Sequence, residues 1–273
     1  MVRKRGVDLL VVGHVTRDEI AGGVRLGGAA SYAARAAARL GYETALVTVA
    51  PPDDPLLEPL RHAPHLSLHC LPSEVMTTFA LAYAAGQRQL WLRRRARPLV
   101  PGDIPPEWRR PRVAYVGPIA GECDLAFAQG LGASFLGAGI QGWLRRTSED
   151  GRVEPAQLTE TPHAEMPLPF DVAIVSAEDH PDAEAAARRL ARTVAITRGA
   201  RGARLIAETE CLEIPAAPAR EVDPTGAGDV FGVVLTLELA QGKSLAGAGR
   251  AAAAAAARVV EGPGLGTLSG SER

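Results

Sequence analysis

Residues 223–229, with the sequence Asp-Pro-Thr-Gly-Ala-Gly-Asp, decide the fold predicted for this chain. Pro224 fixes its own φ and favours an extended Asp223, so a strand or loop should end at this point. The apolar run Val230 to Ala240 then predicts a helix that begins just beyond the glycines. The stretch therefore predicts a loop that leads directly into the N-terminus of a buried helix.

Two glycines and an aspartate give this loop a possible chemistry. Gly226 and Gly228 lack Cβ atoms, so the backbone can take unusual dihedral angles and its N–H groups can lie against a ligand. A helix N-terminus attracts phosphate, and Asp229 in the first turn could accept a proton from an attacking hydroxyl. The pattern predicts phosphoryl transfer to an alcohol. The alternative is a glycine-rich turn that Asp229 caps only for stability.

The string resembles the Asp-Thr-Gly-Ala-Gly-Asp signature of the ribokinase (PfkB) family of carbohydrate kinases, here with Pro224 inserted. The resemblance implies ATP and Mg²⁺ as cofactors and Asp229 as the catalytic base. It also implies an anion hole for the transferred group at Gly226, Ala227 and Gly228, with Thr225 and the two glycines in contact with the nucleotide.

Composition limits what can surround this signature. The chain has 273 residues, of which 47% are hydrophobic and 22% charged, so it can form one large α/β domain over 1–273. A net charge of −1 gives no reason to expect nucleic acid or a membrane surface as a partner. The three cysteines are odd in number and far apart, which favours a reducing compartment, the cytoplasm. The apolar run Leu9 to Val12 is too short for a signal peptide or a membrane span.

The first part of the chain predicts an acceptor site. Asp8 to Gly13 reads as a buried strand, and Asp18 follows it at the carboxyl edge of the sheet, where ligands bind in open α/β folds. The segment from Leu26 then opens an alanine-rich helix that Gly41 ends. A solvated loop aspartate and close helix packing are the plain alternatives. The resemblance implies that Asp18 binds substrate hydroxyls and that Gly27, Gly28 and Ser31 contact the sugar or polyol.

The next segments predict a lid and a loop. Thr77 to Ala84 and Arg88 to Arg94 read as β-rich runs about a turn at Gly86-Gln87, and the resemblance implies a small β lid from about 14–26 and 73–97. Exposed lid edges make a homodimer plausible. The prolines of Pro51 to Pro72 indicate a surface loop, and its histidines with Cys70 lack the spacing of a zinc site.

The middle of the chain adds two weaker candidates. Gln141 follows a predicted strand, Ala133 to Ile140, and its surroundings resemble the myo-inositol kinase branch, which implies a substrate contact. That branch has an acidic residue where Gly139 stands here. Glu178 follows the strand Asp171 to Ser176 and is a partial match to a family position that orders water around Mg²⁺, with Pro181 at the next acidic position.

The later segments complete the predicted donor site. Asp182 to Arg192 reads as a helix and Thr193 to Thr197 as the next strand. The loop after it resembles one that lies along the nucleotide in the family, and its implied nucleotide contacts are Thr197, Arg198, Gly199 and Gly202.

Together these patterns predict a ribokinase-like α/β fold, with a central, mainly parallel sheet flanked by helices and covered by a small β lid. The predicted activity is ATP-dependent phosphorylation of a small polyol or sugar, with myo-inositol or a related polyol as acceptor. A sugar or nucleoside kinase of the same family and a non-catalytic ligand-binding homologue remain the alternatives.

Overall fold

The structure is a computed structural model that describes residues 6–84, 87–156, 158, 170–178, 180 and 182–268. In this part of the chain a nine-stranded central sheet dominates the fold. In spatial order its strands are β15 (Glu210–Ile214), β14 (Ala203–Ala207), β13 (Ala191–Thr197), β12 (Phe170–Ser176), β9 (Phe135–Gly139), β8 (Val113–Val116), β1 (Leu9–Val12), β4 (Thr44–Ala50) and β5 (Leu66–Pro72). Only the β13–β14 and β14–β15 pairs are antiparallel within it, so the sheet is mainly parallel.

Helices cover both faces of this sheet. They are α1 (Ala29–Arg39), α2 (Glu58–Arg61), α3 (Leu125–Gly130), α4 (Ala183–Arg188), α5 (Ala227–Ala240) and α6 (Leu245–Val259). Strand β1 shows why two layers are needed, because all four of its apolar side chains are fully buried. Leu9 and Val11 belong to the core under α1, α5 and α6, whereas Leu10 and Val12 belong to the core under α3 and α4. A continuous apolar run is typical of a parallel strand that is covered on both sides.

A second sheet of four strands lies at the carboxyl edge of the first. Its order is β3 (Gly23–Gly27), β2 (Thr16–Ile20), β6 (Thr77–Ala84) and β7 (Gln87–Arg94). A short hairpin of β10 (Arg145–Thr147) and β11 (Val153–Pro155) adjoins it through a bridge between Trp91 and Arg152. The predicted fold class, a parallel sheet flanked by helices with a small β lid, is confirmed.

Helix α5 packs closely on the central sheet because glycines at the contact leave no side chains between them. A Cβ atom on Gly137 of β9 would come within 2.3 Å of the Thr236 hydroxyl oxygen, and one on Gly232 would come within 2.5 Å of the Tyr115 hydroxyl. Gly139 is similarly close to Tyr115. Since Asp229, Gly232 and Thr236 lie on one face of an α-helix, this packing fixes the direction of the Asp229 side chain.

Two secondary-structure predictions are wrong. The segment Pro51 to Pro72 is not a surface loop, since it contains α2 and the edge strand β5, whose Leu66 and Leu68 pack on the core. Three of its prolines stand where proline is tolerated: Pro55 begins a short 3-10 turn, Pro59 lies in the first turn of α2, and Pro72 ends the edge strand.

The second error concerns the predicted helix Asp182 to Arg192. Helix α4 ends at Arg188, and β13 begins at Ala191, which pairs with Phe170 in the parallel ladder of β12. Sheet pairing overrides helix propensity there. Gly86 and Pro181, which the sequence analysis also used, lie outside the described residues.

Candidate active site

One large cavity of about 1590 Å³ lies between the lid and the carboxyl ends of the central strands. It brings together residues from both halves of the sequence that were predicted to act as one site. The predicted site residues that line it are Asp18, Gly28, Gln141, Glu178, Thr197, Gly199, Gly202 and Thr225 to Asp229.

The loop before α5 has the geometry expected of an anion-binding helix start. Gly226 is the N-cap residue with φ of 84°, a left-handed conformation that favours glycine. A Cβ there would lie 2.1 Å from the ring of Tyr32 on α1, so no larger residue fits. Gly228 does not share the positive φ that its sequence context suggested, and Asp229 lies in the first helical turn.

Hydrogen bonds and an ion pair centred on Asp223 hold this loop in place. Thr225 N donates to Asp223 Oδ1 at 3.0 Å, and Gly264 N donates to Asp223 Oδ2 at 3.1 Å. Arg25 of the lid strand β3 forms an ion pair with Asp223 and donates to the Thr225 hydroxyl at 3.0 Å. Burial opposes the charge of Asp223, but these hydrogen bonds and the Arg25 charge outweigh it and lower the pKa of Asp223. Asp223 is therefore an ionised structural anchor of the loop.

On the lid side, Asp18 is buried on β2 with 5% exposure. Its Oδ1 accepts a hydrogen bond of 2.7 Å from the Thr16 hydroxyl. Its carboxylate lies directly over Gly27, since a Cβ on Gly27 would come within 2.2 Å of Asp18 Oδ2. Gly28 has φ of 93° and begins α1 beside this carboxylate. Gly27 thus leaves the space that the Asp18 carboxylate occupies, whereas a Cβ on Gly28 would meet the His14 carbonyl oxygen at 2.5 Å.

Gln141 connects the predicted base to the hairpin beyond β9. Its Nε2 donates to Asp229 Oδ1 at 3.5 Å, and its Oε1 accepts from an Arg145 guanidinium nitrogen at 3.1 Å. A Cβ on Gly139 would stand 3.0 Å from the Tyr115 hydroxyl and 4.0 Å from Asp229 Oδ1. An acidic side chain at 139 would therefore compete with Tyr115 for space behind the base. Burial, with the nearby Asp229 carboxylate, raises the pKa of Tyr115, so this hydroxyl stays neutral.

Three predicted contact residues do not line the cavity. The Ser31 hydroxyl is fully buried and donates to the Gly27 carbonyl at 2.6 Å, which closes the first turn of α1. Gly27 lies behind Asp18. The Arg198 guanidinium makes two hydrogen bonds to Glu213, of 3.0 and 3.2 Å, and so points along β15. These placements suit supporting positions better than direct ligand contacts.

A groove runs from α5 toward the antiparallel edge of the sheet. Thr197 lies beside Gly228, since a Cβ on Gly228 would be 3.9 Å from its hydroxyl oxygen, and exposed Glu178 lies beside Gly199. Beyond them the walls are small and apolar, formed by Ala216, Ala217, Pro218, Ala219, Ala253, Ala256, Ala257 and Val260.

The sequence analysis missed three side chains that shape this site. Arg25 donates a hydrogen bond to Thr225 in the loop before α5. The Tyr32 ring lies beside Gly226. Arg145 donates a hydrogen bond to Gln141. Arg145 stands in the string that includes Gln141, so its spacing offered a signal. Arg25 and Asp223 are 198 residues apart in the chain, and nothing in the linear sequence connects them.

Both the sequence and the fold of this chain resemble those of known proteins. Residues 165–271 match the family described as pfkB family carbohydrate kinase. A search among curated proteins finds no match. The fold is that of ribokinase-type kinases, and the family match over residues 165–271 confirms the resemblance predicted from the sequence.

Solved structures share the fold over nearly the whole chain. A pyrophosphate-dependent kinase in the ribokinase family, complexed with a pyrophosphate analogue and myo-inositol, has a TM-score of 0.80 at 18% identity, covering 94% of this chain and 96% of its own. Aminoimidazole riboside kinase from Salmonella enterica has a TM-score of 0.71 at 22% identity, covering 95% and 96%. Ribokinase from Thermotoga maritima has 0.70 at 16%, covering 97% and 96%. At these identities the likeness shows the fold alone.

Among the described residues, no three His, Cys, Asp or Glu side chains form a cluster that could hold a metal ion. Within the same part of the chain, no helix is both long and apolar enough to span a membrane.

Proposed function

We propose that this protein transfers a phosphoryl group from ATP to a hydroxyl of a small polyol or sugar, with myo-inositol or a related polyol as the acceptor. The observation that carries the proposal is the position of Asp229. It stands in the first turn of α5, between the wall formed by Asp18 and the groove beyond Thr197, within one cavity.

The chain's own groups suit such a transfer. Asp229 would take the proton of the acceptor hydroxyl while that oxygen attacks the terminal phosphoryl group. The first-turn N–H groups at Gly226, Ala227 and Gly228 would stabilise the charge that develops on the phosphoryl oxygens. Gln141 holds Asp229 Oδ1, and so limits the orientations that the carboxylate can adopt.

The groove supports ATP as the donor. Its alanine and proline walls are apolar and leave room for a flat ring system beyond the phosphate site, whereas pyrophosphate would leave this part of the cavity unused. One structural neighbour is a pyrophosphate-dependent kinase, so pyrophosphate is the donor to test against ATP.

Mg²⁺ fits the site through Glu178 and the donor phosphates. Mg²⁺ usually keeps several waters and binds one or two carboxylates plus substrate phosphates, so it needs no cluster of protein ligands. Glu178 is the carboxylate on the cavity wall beside Gly199. When bound, the ion would neutralise charge on the transferred group, and Glu178 would hold it through water.

The acceptor proposal rests on Asp18 and Gln141. A buried carboxylate can accept hydrogen bonds from two adjacent hydroxyls, as a cyclic polyol or a sugar presents them. The neighbour bound to myo-inositol makes that polyol the first compound to test. Sugars and nucleosides are the second candidates, since a riboside kinase shares the fold.

The proposal also includes a cellular compartment and an oligomeric state. Cys70, Cys123 and Cys211 are free thiols, which fits the cytoplasm. The edge strand β3 of the lid has an unpaired side, so we propose a homodimer through the lid, which light scattering after size-exclusion chromatography can test. We propose no contact with nucleic acid or a membrane.

A panel of polyols, sugars and nucleosides, scored for ADP release from ATP and for phosphate release from pyrophosphate, tests the function. We expect myo-inositol or a related polyol to support ADP release that depends on Mg²⁺. If a nucleoside or sugar is the better acceptor, the polyol choice is wrong and the kinase assignment stands. If no compound is phosphorylated by either donor while ADP still binds, the protein is a ligand-binding homologue.

A further inference from the structure

Two arginines tie the lid to the rest of the molecule, and only one of them reaches the donor side. Arg17 on β2 donates to Asp54 at 2.9 Å, in the loop after β4. Arg25 on β3 pairs with Asp223 and Thr225, in the loop before α5. Both aspartates also accept the backbone N–H two residues further on, at 3.0 Å in each case. The two ties have the same chemistry but hold different loops.

The Arg25 contacts connect the side of the cavity that carries Asp18 with the loop before α5. Arg25 stands directly opposite Asp18 in the antiparallel β2 and β3 pair, so the Asp18 carboxylate and the Arg25 guanidinium are carried by one hydrogen-bonded strand pair of the lid. At its other end the guanidinium touches Thr225, which immediately precedes the N-cap Gly226 of the predicted anion hole. The side chain of Arg25 therefore connects the lid strands that carry Asp18 to Thr225 in the loop before α5.

The ion pair between Arg25 and Asp223 is also partly shielded from solvent. The side chains of Arg25 and Asp223 are 22% and 14% exposed, against 33% and 9% for Arg17 and Asp54. A paired guanidinium that bonds a carboxylate and a hydroxyl has a restricted geometry, because its donors form a planar fork. Movement of β3 relative to the 223–226 loop must break at least one of these contacts.

We propose that Arg25 couples occupancy of the donor loop to the position of the lid, so that donor binding stiffens the β2 and β3 segment that carries Asp18. The inference rests on the proposed function in one respect, namely that a phosphate donor binds at residues 223–229. Arg25 acts here as a positioning residue, since it holds the loop and the lid together and has no part in the chemical step. Linkage requires the converse effect as well, so an acceptor held by Asp18 should raise donor affinity by the same factor.

Hydrogen–deuterium exchange tests the coupling without knowledge of the acceptor. Peptides that cover residues 16–27 are followed with and without saturating Mg²⁺-ADP, and separately with Mg²⁺-pyrophosphate, in the wild type, in Arg25→Met and in Arg17→Met. We expect whichever donor probe binds to slow exchange in 16–27 by about fivefold or more in the wild type, the low end of typical coupling. Arg17→Met should keep this protection and Arg25→Met should lose it. Each variant's affinity for the probe is measured first, so that all samples are compared at equal saturation.

A second variant covers the case in which Arg25→Met does not fold. Arg25→Lys keeps the charge opposite Asp223 but has a single ammonium in place of the fork, so it should retain only part of the protection. Equal protection in the wild type and in the folded Arg25 variants overturns the proposal, as does a bound probe that leaves 16–27 unprotected in the wild type. Either result leaves the kinase assignment untouched. Protection that depends on Arg25, in a protein that phosphorylates no compound, would support the coupling and refute the proposed activity.

Discussion

Two helix starts open into the same cavity, and they are built alike. Helix α1 begins at Gly28 with φ of 93°, and α5 begins at Gly226 with φ of 84°. Neither helix has a side-chain hydrogen bond at its N-cap. The difference lies in the carboxylates. The first turn of α1 contains no acidic residue, and Asp18 reaches its start from the facing lid strand, whereas α5 carries Asp229 in its own first turn.

This difference separates binding from chemistry. A carboxylate on the lid moves when the lid moves, so Asp18 suits the capture of an acceptor that must enter and leave. Asp229 is part of a long helix that packs tightly on the sheet at Gly232 and Thr236, so its position changes little. In the proposed mechanism, the same kind of helix start would therefore stand beside a binding carboxylate on the lid at α1 and would carry a fixed base at α5.

The largest expected effect is the loss of that fixed base. Asp229→Asn keeps the shape and the hydrogen bond with Gln141 but removes the proton acceptor. We expect kcat to fall by about two to four orders of magnitude, with ADP affinity nearly unchanged. Steady-state kinetics with saturating ATP and acceptor, together with ADP titration calorimetry, measure both quantities.

A matched control lies at the other end of the same helix. Glu238 is bound by Lys243 near the C-terminus of α5, away from the cavity, so Glu238→Gln should keep nearly wild-type kcat. If Asp229→Asn retains more than about a tenth of wild-type kcat, Asp229 is not the base.

On the lid side, Asp18→Ala should lower kcat/KM for the true acceptor by at least about a hundredfold, the effect of one charge-assisted hydrogen bond of about 2.7 kcal/mol. KM for ATP should change little, because Asp18 lies on the acceptor wall. Asp54→Ala removes a carboxylate that also pairs with the lid, and it should leave kcat/KM within a few-fold of the wild type. An unchanged kcat/KM in Asp18→Ala for every accepted compound would place the acceptor elsewhere in the cavity.

The donor half of the site could be predicted from the sequence because its signal is local. Seven consecutive residues contain the turn, the helix start and the proposed base, and the structure places six of them, Pro224 to Asp229, on the cavity wall. The acceptor half was harder. Ser31 occurs at a helix start with glycines, yet its hydroxyl bonds its own turn, and only the three-dimensional structure shows this.

Long-range contacts were beyond the sequence altogether. The Arg25 and Asp223 pair depends on how the lid packs over the sheet, and the direction of the Arg198 side chain depends on Glu213, which stands on the edge strand β15. Strand β5 was missed since its prolines, which mark its borders, look like loop residues in isolation. In each case the deciding interaction is tertiary.

The next prediction asks whether the two glycine N-caps are restricted by the same kind of neighbour. A methyl group on Gly226 would meet the Tyr32 ring, a side chain, whereas one on Gly28 would lie 2.5 Å from the backbone oxygen of His14. Each Ala variant should lose about 2 kcal/mol of unfolding free energy through overpacking and positive φ. In a Tyr32→Leu background the cost of Gly226→Ala should shrink by about 1 kcal/mol, while that of Gly28→Ala should not change. Urea unfolding of the double-mutant cycles measures this, and equal costs in both backgrounds would show that Tyr32 is not the obstacle.

The smallest expected effect concerns the support behind the α1 start. His14 is fully buried beside Gly28, and its ring lies 3.0 Å from the Arg97 carbonyl oxygen and 2.8 Å from the Thr77 hydroxyl. Burial lowers the pKa of His14, although Glu122 opposes this shift, so the folded protein binds a proton less readily than the unfolded chain.

The sign of the pH dependence follows from that difference. Stability should be complete above the unfolded pKa of about 6.5 and should fall as pH drops below it, by up to about 1.4 kcal/mol per pH unit. Urea unfolding at pH 7.5, 6.5 and 5.5 measures the slope, and His14→Asn should flatten it. No corresponding histidine lies among the contacts described for the α5 start, so ADP affinity should vary less than stability over this range. If His14→Asn keeps the wild-type slope, then another group is protonated on unfolding, and the acceptor-side helix start is no more sensitive to pH than its donor-side counterpart.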